Sequence, residues 1–401
     1  MLSIRKSISA YPKPVWLLTL IECIFISRKT IFNVARDVGD YSATVDSSTS
    51  LAMLGIACSF VLIMKYRKYI KPVKKIMSTL LMVYVIAALS FLWAGNIFSI
   101  LFKVTEVFVN IYIIGLILVL LFRSCSMKQI VYYIILFCLM ATYAEALSDM
   151  IRKGVGFHHT NAYSYSAMIA LLLCAGLIKF RLFRFAELRW PIILAFVAWL
   201  GGTSTASYIA CLAGFLLLYS SIKTGLNIRN ALIVIVLCVG IYTIADDAVY
   251  SFIRAGHTED EMQSGTGRSV IWEAAYLSFK DNPILGSGFV VGERELGPKY
   301  GFGFHQLSAH NSFLSVLVNT GLVGMLIFLR FLCKWGMILY KQSKQNVLST
   351  ILFPIYIAIV INSAACPALG SDWGPVASCV YLVIGLSFML AKRSDFRISG
   401  S

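Results

Sequence analysis

Long apolar runs make up most of this chain, and short polar connections separate them. Many runs approach the length of about 20 residues that a helix needs to cross a ~30 Å hydrocarbon core. Their bounds predict twelve membrane-spanning helices, at residues 14–34, 50–65, 78–98, 104–122, 129–147, 163–180, 190–201, 204–222, 230–247, 312–333, 350–366 and 375–391. The first run lacks a small-residue cleavage site, so we expect an uncleaved span. The sequence therefore predicts an all-α polytopic membrane protein.

One polar segment interrupts this pattern. Residues 248–311 are far longer than a simple connection between two helices. The chain is thus predicted to have nine helices in residues 1–247, a large loop at 248–311, and three helices with a tail in residues 312–401. Within the loop, residues 270–279 have apolar positions at helical spacing, and Pro283 follows them. We expect a short helix on the membrane surface here, with its apolar face against the bundle or the acyl boundary.

Composition and charge agree with a membrane protein and suggest its orientation. Charged residues are 13% of the chain, whereas a soluble domain is nearer a quarter charged. The net charge of +16 does not indicate a nucleic-acid partner, because Lys and Arg cluster in alternate short connections, as the positive-inside rule predicts. Both termini are therefore predicted to be cytoplasmic, with the large loop on the opposite side. The ten cysteines show no spacing typical of a metal site or a disulfide framework.

Two positions in the large loop are candidates for chemistry. Arg268 follows a Ser-Gly-Thr-Gly stretch at the start of the predicted surface helix, and both a guanidinium and a helix N-terminus bind phosphate. A loop-capping or headgroup-binding arginine is the alternative. His310 precedes a predicted span that Asn311 can cap. At a helix N-terminus the charged imidazolium is disfavoured, so a neutral His310 could accept a proton from a hydroxyl; an interfacial histidine without chemistry is the alternative.

Other polar positions are predicted to lie on the same side. His159 and Asn161 belong to a Gly-Phe-His-His-Thr-Asn stretch that could line the same cavity or cap the helix after it. Small residues at 201–207 permit close helix contact. Glu106 and Glu145 lie within apolar runs, where acidic residues are functional candidates, although both could reach the interface.

Four short motifs occur in a fixed order within residues 267–324. They are Gly267-Arg268-x3-Trp272, then Asn282-Pro-x-Leu-Gly-x-Gly-Phe289, then Ala309-His-Asn-x-x-Leu314, and finally Gly321-Leu-x-Gly324. This set resembles the O-antigen ligase and polymerase superfamily, which includes exopolysaccharide polymerases. The layout of twelve spans with one large loop is similar to that superfamily over most of the chain.

The resemblance implies a glycosyltransferase of the bacterial inner membrane with a periplasmic catalytic loop. Its donor would be an undecaprenyl-pyrophosphate-linked glycan, its acceptor a second glycan or the lipid A–core, and a chain-length regulator is a candidate partner beside membrane lipids. No metal or other cofactor is implied. Arg268 matches the arginine that holds the pyrophosphate, and His310 matches the histidine that activates the acceptor hydroxyl. Trp272 and Asn311 belong to the same motifs and are expected at the substrate site.

One position departs from the superfamily pattern. Many members carry an arginine after the serine that opens the span at 204–222, whereas here Thr205 follows Ser204. A second phosphate ligand is therefore expected from Arg254, Arg152 or Arg36. The compact loop and the Thr-Gly-Arg-x3-Trp sequence favour a polymerase, with an O-antigen ligase as the alternative. The resemblance implies inversion of the anomeric centre for either enzyme. A lipid-linked-sugar flippase is less favoured, because the middle positions of the spans carry few charges.

Overall fold

The computed structural model describes residues 11–30, 47–153, 161–202, 204–220, 268–300, 309–371 and 374–392. Arg36, Arg254, His159 and the predicted span at 230–247 lie outside these ranges. Across the described residues the regular secondary structure is helical throughout. The helices are α1 Lys13–Thr30, α2 Ser47–Lys65, α3 Ile70–Leu89, α4 Ile97–Ser124, α5 Met127–Lys153, α6 Asn161–Lys179, α7 Phe185–Gly201, α8 Thr205–Ser220, α9 Arg268–Asp281, α10 Val291–Arg294, α11 Leu296–Tyr300, α12 Ser312–Ser343, α13 Val347–Ser363 and α14 Pro375–Ala391.

Each predicted span within the described ranges overlaps one of these helices, although the span predicted at 78–98 crosses the break between α3 and α4. The segments long and apolar enough to cross a membrane are Arg67–Leu92, Ile97–Ser124, Met127–Ser148, Ala162–Lys179 and Ser312–Ser343. Shorter apolar helices accompany them at Thr49–Lys65, Thr205–Ser220, Val347–Ser363 and Pro375–Ala391. The described part of the chain is thus all-helical, its apolar helices indicate a multi-pass membrane protein, and the total of twelve spans stays a prediction.

Helices α4 and α14 lie at the centre of the bundle. Nearly all side chains of α14 and most of those of α4 are buried, and a helix buried on every side is apolar on every side. Glycines allow neighbouring helices to approach closely. A Cβ on Gly115 of α4 would lie 2.6 Å from a methyl of Val73, and a Cβ on Gly385 of α14 would clash with a methyl of Leu118. The predicted close packing of small residues near 201–207 is also confirmed, because a Cβ on Gly202 would clash with the Ser164 side chain.

Charged side chains join α1 to the centre of the bundle. Glu106 of α4 is fully buried and forms an ion pair with Arg28 of α1, and Lys103 Nζ lies 3.4 Å from its second oxygen. Glu22 of α1 is also fully buried and accepts a 2.9 Å hydrogen bond from Ser378 Oγ of α14. Glu106 therefore does not extend to the interface. It is paired inside the protein, as acidic residues in membrane segments usually are.

Candidate functional site

The predicted surface helix is present as α9, which begins at Arg268. Ile271, Ala274 and Ala275 share one face because residues three and four apart are neighbours on a helix. They are buried against Leu296 of α11 and Val318 of α12. The opposite face, which includes Glu273, is exposed. The apolar face of α9 therefore packs on the helical bundle, and the N-terminus of this helix is the position of the candidate phosphate ligand.

Helix α12 is broken at Gly321, which adopts φ 61° and ψ −161°. In a continuous helix the amides of Leu322 and Val323 would bond to the carbonyls four residues earlier, those of Val318 and Asn319. The break frees these four groups, and buried backbone groups need partners.

Residues 283–288 supply partners for all four groups, and we call them the splint segment. Two of its carbonyls accept from the amides after the break, and two of its amides donate to the carbonyls before it. The bonds are Leu322 N to Pro283 O at 2.9 Å, Val323 N to Ile284 O at 3.2 Å, Ser287 N to Val318 O at 2.8 Å and Gly288 N to Asn319 O at 3.0 Å. The splint segment therefore completes the hydrogen bonding of a broken helix.

Glycine is required on both sides of this contact. Gly286 has φ +69°, and a Cβ there would lie 2.5 Å from the backbone nitrogen of Thr320. A Cβ on Gly321 would lie 2.3 Å from the carbonyl oxygen of Ile284. Positive φ and such close backbone approach are available to glycine at little cost. The Asn-Pro-x-Leu-Gly-x-Gly-Phe and Gly-Leu-x-Gly motifs thus form the two halves of one backbone contact.

The end of α3 holds the splint segment from the other side. Trp93 Nε1 donates to the Gly286 carbonyl at 3.2 Å, and the Phe289 amide donates to Ser90 Oγ at 2.9 Å. Phe289 is fully buried and meets the edge of the Tyr84 ring, with centroids 6.1 Å apart. The loop is thereby fixed to two membrane helices.

Glu293 of α10 is a buried carboxylate that sequence reasoning missed. Only 4% of the residue is exposed. One oxygen accepts from the Ala309 amide and from Ser315 Oγ, both at 2.8 Å, and the other accepts from Asn319 Nδ2 at 3.0 Å. Glu293 therefore connects the chain just before His310 to α12.

His310 lies between two anchored residues. Asn311 caps α12 as predicted, accepting from the amides of Phe313 at 2.9 Å and Leu314 at 3.2 Å. On the other side, Ala309 is fully buried, and its carbonyl accepts a 3.2 Å hydrogen bond from Trp272 Nε1 of α9. His310 itself is partly exposed and has φ 50°, which is uncommon for a non-glycine residue.

The hydrogen bond between Trp272 and Ala309 brings two motifs together. Trp272 is four residues after Arg268, which is about 6 Å along a helix axis. The first turn of α9 thus lies at the same end of this helix as the chain before His310, and a joint site of Arg268 and His310 stays a prediction. Arg152 lies in the last turn of α5, and Asn161 is the first residue of α6. Helix α6 packs mainly on α5 and α7, whereas α9 packs mainly on α11 and α12. The roles of Arg152 and Asn161 stay predictions.

Ionic contacts fix the other end of α9. Asp281 accepts a 2.8 Å hydrogen bond from the Tyr300 hydroxyl, and Lys299 Nζ lies 3.1 Å from the same oxygen. The Tyr300 hydrogen bond and the Lys299 ammonium lower the pKa of Asp281 below its ordinary value. Within the described ranges no group of three or more His, Cys, Asp or Glu residues could hold a metal ion. The metal-free mechanism remains a prediction.

A comparison with family models shows what part of the chain is similar to a known family. The family described as O-antigen ligase matches residues 190–329, which extend from α7 into the second half of α12. The matched range includes α9, the splint segment, Glu293 and His310. A comparison with curated proteins finds no match.

Proposed function

We propose that this chain transfers a glycan from an undecaprenyl-pyrophosphate donor to a sugar hydroxyl. The match at residues 190–329 supports its assignment to the O-antigen ligase and polymerase family. The family assignment supports a glycosyltransferase-like enzyme in general. The observation that carries the specific proposal is the 3.2 Å hydrogen bond from Trp272 to Ala309, which joins the helix that begins at Arg268 to the residue before His310.

The proposed reaction needs two groups at this site. The leaving pyrophosphate is a multiply charged anion, which Arg268 and the N-terminus of α9 would stabilise. A sugar hydroxyl is a poor nucleophile, and His310 would accept its proton as the bond forms. The acceptor oxygen bonds to the anomeric carbon and the bond from that carbon to the phosphate oxygen breaks. The carbon is inverted, the proton moves to the imidazole, and the lipid pyrophosphate leaves.

Exposed apolar side chains on α9 and just beyond its far end support a lipid-linked donor. Ile284 and Leu285 of the splint segment are 63% and 43% exposed, and Leu322 of α12 is 46% exposed. Trp272 and Tyr276 of α9 are also exposed, and such amphipathic rings are enriched at membrane interfaces. A donor that remains in the bilayer could therefore present its pyrophosphate at the N-terminus of α9. We propose that this end of the bundle faces the periplasm, as the charge pattern predicts.

We propose a polymerase, with a second lipid-linked glycan as acceptor. The Thr-Gly-Arg-x3-Trp motif at residues 266–272 supports this choice. The matched family description supports ligation to lipid A–core as the second candidate.

Proteoliposomes containing the protein and a lipid-linked glycan test the proposal. Arg268→Ala and His310→Ala should each reduce transfer to a small residual rate, while Lys280→Ala, at the far end of α9, should leave it unchanged. Full transfer by both site variants would refute the proposed site. Product formed only when lipid A–core is added would replace the polymerase assignment with the ligase assignment.

A further inference from the structure

Glu293 occupies an environment that a carboxylate tolerates only with hydrogen-bond donors around it. Burial of an ionised group is unfavourable unless its oxygens are satisfied. A backbone amide can only donate, so the oxygen facing Ala309 must act as an acceptor. With Ser315 and Asn319 also donating, the described contacts fit the ionised, acceptor-only carboxylate.

The contact with Ala309 completes a clamp on one residue. Glu293 binds the Ala309 amide at 2.8 Å, and Trp272 binds the Ala309 carbonyl at 3.2 Å. That carbonyl belongs to the peptide that leads into His310. The φ of 50° at His310 is sparsely populated for non-glycine residues and persists only where the surroundings impose it. The clamp at Ala309 and the cap at Asn311 hold the residues on either side of His310.

The remaining partners of Glu293 lie beside the helix break. Ser315 and Asn319 are four residues apart and therefore share one face of α12. The Asn319 carbonyl also accepts the 3.0 Å bond from Gly288 of the splint segment. Glu293 thus connects the backbone beside His310 to the part of α12 that pairs with the splint segment.

We propose that Glu293 is the positioning residue for His310. Through the Ala309 amide it holds the backbone so that the imidazole can accept the proton of the acceptor hydroxyl, and it does not itself touch the substrate. This inference rests on the proposed role of His310 as the base.

Three substitutions separate positioning from other roles. Glu293→Ala removes all the acceptors and should lower kcat by about 100-fold, the order expected when a catalytic group is misplaced by about 1 Å. KM for the lipid-linked donor should change by less than about threefold, because a positioning defect acts on the chemical step. Glu293→Gln should retain most of kcat, since its carbonyl can accept from Ala309 and Ser315 while its amide donates to Asn319 once that side chain rotates. Ser315→Ala, which leaves the Ala309 bond in place, is the matched control and should stay close to wild type.

A double variant decides whether Glu293 acts through His310. If it does, Glu293→Ala should cause no further loss in the His310→Ala background. Losses that multiply would show an independent role and overturn the inference, as would wild-type kcat in Glu293→Ala. If Glu293→Ala does not fold, the Gln variant carries the test: a loss as large as that of His310→Ala would mean that charge, not position, is required. Full activity of His310→Ala would refute the proposed function itself, whereas an inactive His310→Ala beside a fully active Glu293→Ala would refute only the positioning role.

Discussion

Gly286 and Gly321 approach so closely that a Cβ on Gly286 would lie 2.6 Å from the backbone nitrogen of Gly321. Both residues have positive φ, and they belong to motifs about 35 residues apart in the chain. The pairing explains why the two motifs occur together, because each supplies one side of the contact that completes α12.

Alanine at either glycine should destabilise the loop. Gly286→Ala or Gly321→Ala combines a positive φ, which costs on the order of 1–3 kcal/mol, with a clash against backbone that cannot move freely. Thermal unfolding of the purified protein in detergent should occur several degrees lower, and transfer should fall with it. Gly95→Ala is the control, because a Cβ at Gly95 meets nothing within 4 Å. Equal melting temperatures for all three variants would contradict the importance of the contact.

Trp272→Phe should reduce transfer by about fivefold. The substitution keeps an aromatic ring but removes the donor to the Ala309 carbonyl, and loss of a typical hydrogen bond corresponds to about 1 kcal/mol. Tyr276→Phe, on the exposed side of the same helix, should have no effect. Initial rates in proteoliposomes give the comparison, and unchanged rates for Trp272→Phe would argue against a coupling between α9 and His310.

Glu106→Gln should destabilise the bundle strongly. Removal of one partner from a buried ion pair costs about 3–5 kcal/mol because the other charge stays buried. Lys128→Ala disrupts the 3.1 Å ion pair between Lys128 and Glu187, both of which have half-exposed side chains. Exposed ion pairs contribute at most about 1 kcal/mol. Melting temperatures in detergent should therefore fall far more for Glu106→Gln. A similar decrease in both variants would show that the buried pair contributes little.

Asp281→Asn should weaken the attachment of α11 to α9 in a pH-dependent manner. The pKa of Asp281 is lowered in the folded protein, so its contribution is present above the ordinary carboxyl range and is lost as the pH falls through that range and below. Wild type and Asp281→Asn should differ in melting temperature near neutral pH and converge in acid. A difference that persists unchanged in acid would assign the effect to packing instead of ionisation.

The sequence predicted those features that depend on local pattern. Apolar runs located the helices, the spacing of Ile271, Ala274 and Ala275 located the packed face of α9, and Asn311 was recognisable as a cap. The side-chain environment of Arg268 and the roles of Arg254 and His159 stay predictions.

Sequence patterns did not predict the contacts between residues that are far apart in the chain. The splint segment pairs through backbone groups, which no side-chain periodicity encodes. Glu293 is an acidic residue in a polar loop, where exposure is the ordinary expectation, and the apolar Phe289-Val290-Val291 stretch before it was the only hint of burial. Arg28 and Glu106 meet across 78 positions of sequence, so neither identifies the other.

The splint segment also bears on how the protein is made. Residues 283–288 leave the ribosome before α12. The partners of the four backbone groups that the break in α12 leaves unpaired are therefore already synthesised when Gly321 emerges. Unpaired peptide groups are strongly disfavoured in hydrocarbon, and this order of synthesis lets the last long helix enter the bilayer with its gap closed. In a circular permutant in which residues 283–288 follow α12, that helix would have to insert with these four backbone groups unpaired.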